Sequence, residues 1–193
     1  MSERRYDQAQ VFGSVIDVLE AVGAVYAIWG GVAAVAYGEP RFTQDMDVLL
    51  RGDSLPVYPF VRRLLEGHFY VDHPSVQARV VDSGFFNVIH EHYAIKVDFY
   101  VAIEPDLLAM IAERIYLPFD DLRRAAYITA TAVIAAKLQA YVENGSTRHL
   151  DDIAGIVRVQ GDRLDLRRLD QRASQLGCYG VWQQIWQLNR GVA

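Results

Sequence analysis

Apolar positions early in the chain follow two different periods. Residues 6 to 22 place Val11, Val15, Val18, Leu19 and Val22 at helical spacing, and Gly23 closes the segment, so a helix is expected there. VYAIW at 25–29 is a short apolar strand, Gly30 and Gly31 make a turn, and VAAVAY at 32–37 gives a short helix stopped by Gly38 and Pro40. DMDVLL at 45–50 predicts the next strand, and LPVYPFVRRLLEG at 55–67 a helix that begins after its prolines. Three extended stretches are expected next, HFYV, QARVVD and GFFNVIH within 68–90, and the last turns over HEHY into the strand AIKVDFYVAI at 94–103. Beyond Glu104 and Pro105 the period lengthens to 3.6. EPDLLAMIAERI, TAVIAAKLQAYVENG, RHLDDIAGIVRV, LDLRRLDQRASQLG and YGVWQQIWQL each carry an apolar stripe, about five helices in succession. The expected organisation is therefore α/β (α+β): a mixed sheet flanked by helices over 1–103, followed by an all-helical half over 104–193.

Composition narrows the class. A hydrophobic fraction of 52% over 193 residues suits a packed core rather than a disordered chain. The polar N-terminus leads into an amphipathic stretch, so neither a secretion signal nor a spanning helix is readable, which points to the cytoplasm and away from a membrane. Cys178 stands alone, too few for a disulfide or a cysteine-based zinc site, and is expected as a small buried hydrophobe. A net charge of −5 argues against a broad basic face that coats nucleic acid, leaving room for a local basic groove. Only two of the 19 basic residues are lysines, Lys96 and Lys137, and each therefore merits a specific explanation.

Three aspartates carry the candidate chemistry. On a strand, Asp45 and Asp47 of the D-M-D triplet share a face, close enough for one hard divalent cation to bridge both carboxylates, while Met46 and Val48 turn into the core. Asp98 lies in the middle of the apolar strand AIKVDFYV, where a carboxylate is expensive to bury unless it is paired or metal-bound. The alternative is a set of strand-end caps with a surface ion pair to Lys96. Gly30 and Gly31, between a strand and a short helix, offer bare backbone N–H groups and a helix N-terminus to an anionic phosphate. Equally, the pair can serve an ordinary left-handed turn that needs glycine.

Together these features resemble the nucleotidyltransferase superfamily of DNA polymerase β-like fold. Its signature runs hydrophobic-Gly-Gly, an intervening segment, then Asp-x-Asp; here WGG is followed after thirteen residues by DMD. "YGEPRFTQDMDVLL" is similar to the G-x-x-R-x-T-x-D-x-D run of bacterial minimal nucleotidyltransferases, including the AbiEii-toxin-like group. The resemblance implies that Asp45, Asp47 and Asp98 are catalytic and hold magnesium, with manganese as the other candidate ion. It implies that Gly30 and Gly31 approach the triphosphate of an NTP substrate, and that Arg41 and Thr43 support the metal strand or the nucleotide. "AAKLQAYVENGSTRHLDDIAGIV" looks like a K-L-x-A-(x)n-R-x-K-D-x-x-D-I region of the same group, which gives Lys137 a phosphate contact, Arg148 a place near nucleotide or acceptor, and Asp151 a supporting role. With Arg148 and Asp151 aligned, the pattern's second lysine falls on Leu150 and its last acid on Ala154. Alternatively Lys137 simply extends from a helix face, and Asp151 and Asp152 serve the first turn of the next helix.

The implied activity is transfer of an NMP from an NTP to a hydroxyl, with release of pyrophosphate. RNA ends, a protein hydroxyl or a small aminoglycoside-like alcohol all fit as acceptor. The alternative is a non-catalytic nucleotide- or partner-binding protein of the same fold, such as a toxin–antitoxin component, whose partner would be a cognate antitoxin or a second copy of the chain. Other candidates have plainer expectations. His90-Glu91-His92 lies in a hairpin turn with no further ligand evident nearby. Arg163, Arg167, Arg168 and Arg172 interleave with Asp162, Asp165 and Asp170 as a salt-bridged solvated face, and Trp182 and Trp186 belong to a core or a dimer interface.

Overall fold

The computed structural model describes residues 2–82 and 84–191, with side chains described from Gln8 onward apart from those outside this span. The chain divides into two compact units, residues 1–29 with 43–127, and residues 30–42 with 128–193. This division lies elsewhere than the expected boundary near residue 103.

The first unit holds a seven-stranded mixed sheet. Helix α1 (Ser2–Ala21) precedes β1 (Tyr26–Trp29), and β2 (Met46–Arg51) pairs antiparallel with β1, Trp29 standing opposite Asp47. Between them in the chain lies α2 (Gly30–Tyr37), which belongs to the second unit. A 3₁₀ turn at Gly52–Ser54 leads to α3 (Val57–Glu66), β3 (Phe69–Tyr70), α4 (His73–Asp82), β4 (Phe85–His90) and β5 (Lys96–Ala102). Then follow α5 (Pro105–Ala112), β6 (Ile115–Pro118) and β7 (Arg124–Tyr127), and the sheet order is β3-β4-β5-β2-β1-β7-β6. At the centre β2 and β5 run parallel, with Met46 beside Val97, Asp47 beside Asp98 and Val48 beside Phe99. Alternation along these strands sends Met46, Val48, Val97 and Phe99 to the core face, all fully buried. Phe99 stacks on Phe86 at 4.9 Å and meets Phe60 of α3 edge-on at 5.6 Å, fastening that helix to the sheet.

The second unit is helical: α2, α6 (Ala130–Asn144), α7 (Arg148–Gln160), α8 (Leu166–Gln175) and α9 (Tyr179–Asn189). Thr129 caps α6 by accepting from Ala132 N, and Gly145 ends the helix in the left-handed conformation at φ 71°. Asp165 caps α8. Gly38 is required by close approach: a Cβ there would stand 3.0 Å from the Ile156 backbone nitrogen of α7. Trp182 is fully buried and donates its indole N–H to Asp170 at 2.7 Å, so the tryptophan pair is core. Asp170 also accepts from Gln183, and Asp165 is committed to its cap, so these two acids anchor α8 and α9 rather than simply decorate an arginine face. Cys178 is buried, as expected.

Two sequence expectations change. QARVVD is helical, within α4, because Asp72 accepts the Ser75 backbone N–H and Pro74 starts the first turn; Val76 is then the residue it buries. The segment beyond 104 is not all-helical: β6 and β7 form a hairpin whose outer strand, though apolar in sequence, is largely exposed and shows no alternation of buried and exposed positions. Among the described residues no helix is long and apolar enough to cross a membrane. The aromatic fastening makes a specific prediction: Phe99→Ala should cost about 3–5 kcal/mol of stability, read from the urea midpoint.

Candidate active site

The parallel pairing of β2 and β5 brings together two of the acids singled out from the sequence. Residues in register on neighbouring strands share a face, so Asp47 and Asp98 project side by side. Asp45 sits one residue before β2 rather than within it. Its backbone carbonyl accepts the Thr43 hydroxyl at 3.3 Å, while the Thr43 and Gln44 carbonyls accept from Gln8 Nε2 at 2.8 and 3.0 Å, holding the approach to the strand. Thr43 thus supports the acid-bearing strand.

The cation shared by the acids is Lys96. Its Nζ lies 2.6 Å from Asp98 Oδ2 and 3.8 Å from Asp45 Oδ2. The hydrogen bond to Asp98 raises the Lys96 pKa; burial opposes this, and the charges of Asp98, Asp45 and Asp47 reinforce it. Tyr100, two residues along the same face, is pushed up to about 12 by burial and then by the fields of Asp47, Asp98 and Asp45. It packs edge-on against Trp29 at 5.0 Å. The Asp98 side chain is only 5% exposed. Its Oδ1 and the Trp29 indole N–H are both buried without a hydrogen-bond partner. A buried carboxylate with one oxygen unsatisfied is a costly arrangement, and it leaves lone pairs available to a cation. The residues therefore fit a divalent ion chemically: all-oxygen donors, two of them in register and one with an unused oxygen. As they stand, no three His, Cys, Asp or Glu side chains among the described residues are set to hold a metal. That includes His90-Glu91-His92, where His90 packs on Phe69 and its pKa is lowered by burial and by His92 and His68.

Gly30 has φ +62°, so the glycine is needed for its dihedral, and α2 begins at this residue. The left-handed requirement and a phosphate-facing role are compatible.

The remaining sequence candidates lie in the helical unit. Arg41 pairs within the helical unit. It donates from Nε and Nη2 to the two oxygens of Asp152, at 2.5 and 2.8 Å. Lys137 reaches Asp152 Oδ2 at 2.6 Å, and both side chains of that pair are almost fully buried. Burial pushes the Asp152 carboxyl up, but hydrogen bonds from Arg41 and Lys137, with their charges, outweigh it and hold the group below the usual carboxylate range. The acid that matters on α7 is therefore Asp152 rather than Asp151, which is exposed like Arg148. A signal for it existed: Asp152 lies four residues before Ile156 and next to Ile153, on the buried side of α7, and Lys137 lies four after Val133 on α6. His149 completes the cluster, its pKa lowered by burial and by Lys137, with Nδ1 buried and unpartnered.

Solved structures share this architecture. The antibiotic-resistance factor ANT(2'')-Ia matches with a TM-score of 0.59 in its solution structure, at 13% identity over 93% of this chain and 96% of that one. Its crystal structure with adenylyl-2''-tobramycin gives 0.60 at 15% identity, over 90% and 99%. An antigenic nucleotidyltransferase-like protein from Paracoccidioides brasiliensis gives 0.53 at 18% identity, over 95% and 94%. No protein-family profile and no curated protein matches the sequence. The likeness is one of fold, and the fold is of nucleotidyltransferase type, as the resemblance in the sequence implied.

The Asp152 cluster predicts an acid weakness. A depressed carboxyl adds stability above its ordinary pKa and loses it as pH falls through the lowered folded value; His149, also depressed, is held neutral and resists protonation in the same direction. Urea midpoints should therefore fall first as pH drops below the ordinary histidine value, through His149, and again below about pH 4, through Asp152. Asp152→Ala, which strands the buried Lys137 and removes the partner of the part-exposed Arg41, should cost about 3–5 kcal/mol and flatten the lower part of that curve.

Proposed function

We propose that this protein is a metal-dependent nucleotidyltransferase that moves an NMP from an NTP to a hydroxyl, releasing pyrophosphate. The observation that carries the proposal is the in-register pair Asp47 and Asp98, the latter buried with an unused oxygen, joined by Asp45 around one cationic point. Asp45, Asp47 and Asp98 would hold magnesium or manganese. Bound there, such an ion would neutralise triphosphate charge and lower the pKa of the acceptor hydroxyl. The acceptor oxygen forms its bond to the α-phosphorus as the bond to the pyrophosphate oxygen breaks, and the chain's task is to align the two. Gly30 and Gly31 would offer backbone N–H groups to the phosphates. Thr43 holds the backbone of Asp45 in place.

Arg41 and Lys137 are committed to Asp152, which favours a role in shaping the helical unit over direct phosphate contact; Arg148, exposed at the start of α7, keeps its proposed place near nucleotide or acceptor. Within the superfamily, the R-x-T-x-D-x-D run supports a position beside the bacterial minimal, AbiEii-toxin-like group. For the acceptor, the structure of ANT(2'')-Ia with adenylyl-2''-tobramycin supports a small-molecule alcohol. A net charge of −5 also disfavours a polyanionic acceptor such as RNA.

The test is incubation of the full chain with each α-labelled NTP, magnesium or manganese, and separate pools of small-molecule alcohols, RNA and protein. Label should enter the small-molecule pool, and Asp47→Ala and Asp98→Asn should each lower transfer by about a hundredfold or more. Equal transfer by both variants would refute the assignment, and no transfer with any pool would favour a non-catalytic binding protein.

A further inference from the structure

Both lysines of the chain end on a buried aspartate, yet only one of them is able to leave. The Lys137 side chain is 8% exposed and closed in against Asp152. Lys96 is 39% exposed, as is Asp45, while Asp98 beneath them is 5% exposed. The stem of Lys96 is fixed by β5, where its backbone pairs with Ile89 of β4, but the ammonium lies at the surface, with room to swing into water at low cost. Its position is chemically specific. Nζ lies 2.6 Å from Asp98 Oδ2 and within 4 Å of Asp45 Oδ2, the space a cation bridging these acids would need. Asp98 Oδ1, the buried oxygen without a partner, shows that the ammonium satisfies this carboxylate only in part. A divalent ion approaching the same oxygens meets a positive charge at contact distance, and like charges so placed repel strongly even when the surface screens them.

We propose that Lys96 is a displaceable counter-ion: it neutralises Asp98 and Asp45 while no divalent ion is bound, discourages free divalent ions, and withdraws when the metal arrives with a triphosphate. The asymmetry between the two forms of the metal follows from charge. A free ion gives the displaced ammonium nothing in exchange for two carboxylates. A metal–triphosphate complex brings phosphate oxygens, and these are anionic partners for a lysine that has just lost its own. Loading is thereby biased toward the metal–nucleotide complex over the bare ion. The inference rests on the divalent-cation site proposed above and adds to it a selection step located in one residue.

The experiment is a Mn2+ titration of the full chain followed by electron paramagnetic resonance, comparing the native protein with Lys96→Met, Lys96→Gln and Asp98→Asn, each with and without a non-hydrolysable NTP analogue. Lys96→Gln keeps a donor toward Asp98 and guards against poor folding of Lys96→Met; thermal melts establish that each variant is folded. Removing the ammonium should tighten free Mn2+ binding by about tenfold or more while leaving binding of the Mn2+–nucleotide complex unchanged or weaker. A rise in Tm with Mn2+ alone should likewise appear in the Lys96 variants and be small in the native chain. If the Lys96 variants and the native chain bind free Mn2+ equally, and Asp98→Asn abolishes that binding, the cation site stands and the counter-ion inference falls. If Mn2+ binding is absent or indifferent to Asp98→Asn throughout, the cation site itself is wrong and the inference falls with it.

Discussion

A carboxylate inside a β-sheet must be balanced by positive charge, and Asp98 imposes that requirement on the centre of the sheet. Its neighbours along β5 are apolar and buried, so the strand has every reason to sit in the middle of the sheet, and the side chain is carried inward with it. Lys96, two residues away on the same face, supplies part of the balance. The pairing of β5 with β2 adds Asp47 beside Asp98, which increases the negative charge rather than relieving it. An arrangement that concentrates carboxylates around one ammonium, at the cost of an unsatisfied oxygen, is unfavourable for stability and informative about function, because a purely structural sheet would place a hydrophobic residue at position 98.

The helical unit repeats the same constraint with a different solution. Asp152 is as deeply buried as Asp98, but it receives three donors, two from Arg41 and one from Lys137, and all its oxygens are engaged. The depressed pKa of Asp152 expresses that surplus of positive charge. Full satisfaction of this kind fixes structure: α6, α7 and the segment after α2 are tied at one point. The contrast between the saturated aspartate and the partly satisfied one lies in their partners and not in their burial, since both are equally out of water.

Most helices and strands were legible because amphipathic periods are local. The spacing of Val11, Val15 and Val18, or the apolar run of β5, records which face meets the core irrespective of what lies across from it. The D-M-D triplet, the glycine pair and Asp98 were likewise visible as chemistry out of place in apolar surroundings. Elements without such a record were missed. α4 exposes most of its surface and is specified by a cap and a proline rather than by a stripe, and the β6–β7 hairpin owes its strand conformation to pairing at the sheet edge.

By itself, then, the sequence determined the mixed sheet with helices and the later helical run, and it singled out three acids and a glycine turn as the candidates for function. Only tertiary structure decided the partners. Side chains far apart in the chain meet according to strand register and helix packing, and neither is written in local periodicity. Register set Asp47 against Asp98 and left Lys96 between them and Asp45; helix packing turned Arg41 and Lys137 to Asp152, a residue whose exposed neighbour looked the better candidate. Charge in a low-dielectric interior is satisfied by whatever the fold brings within about 3 Å, and that distance is a property of three dimensions.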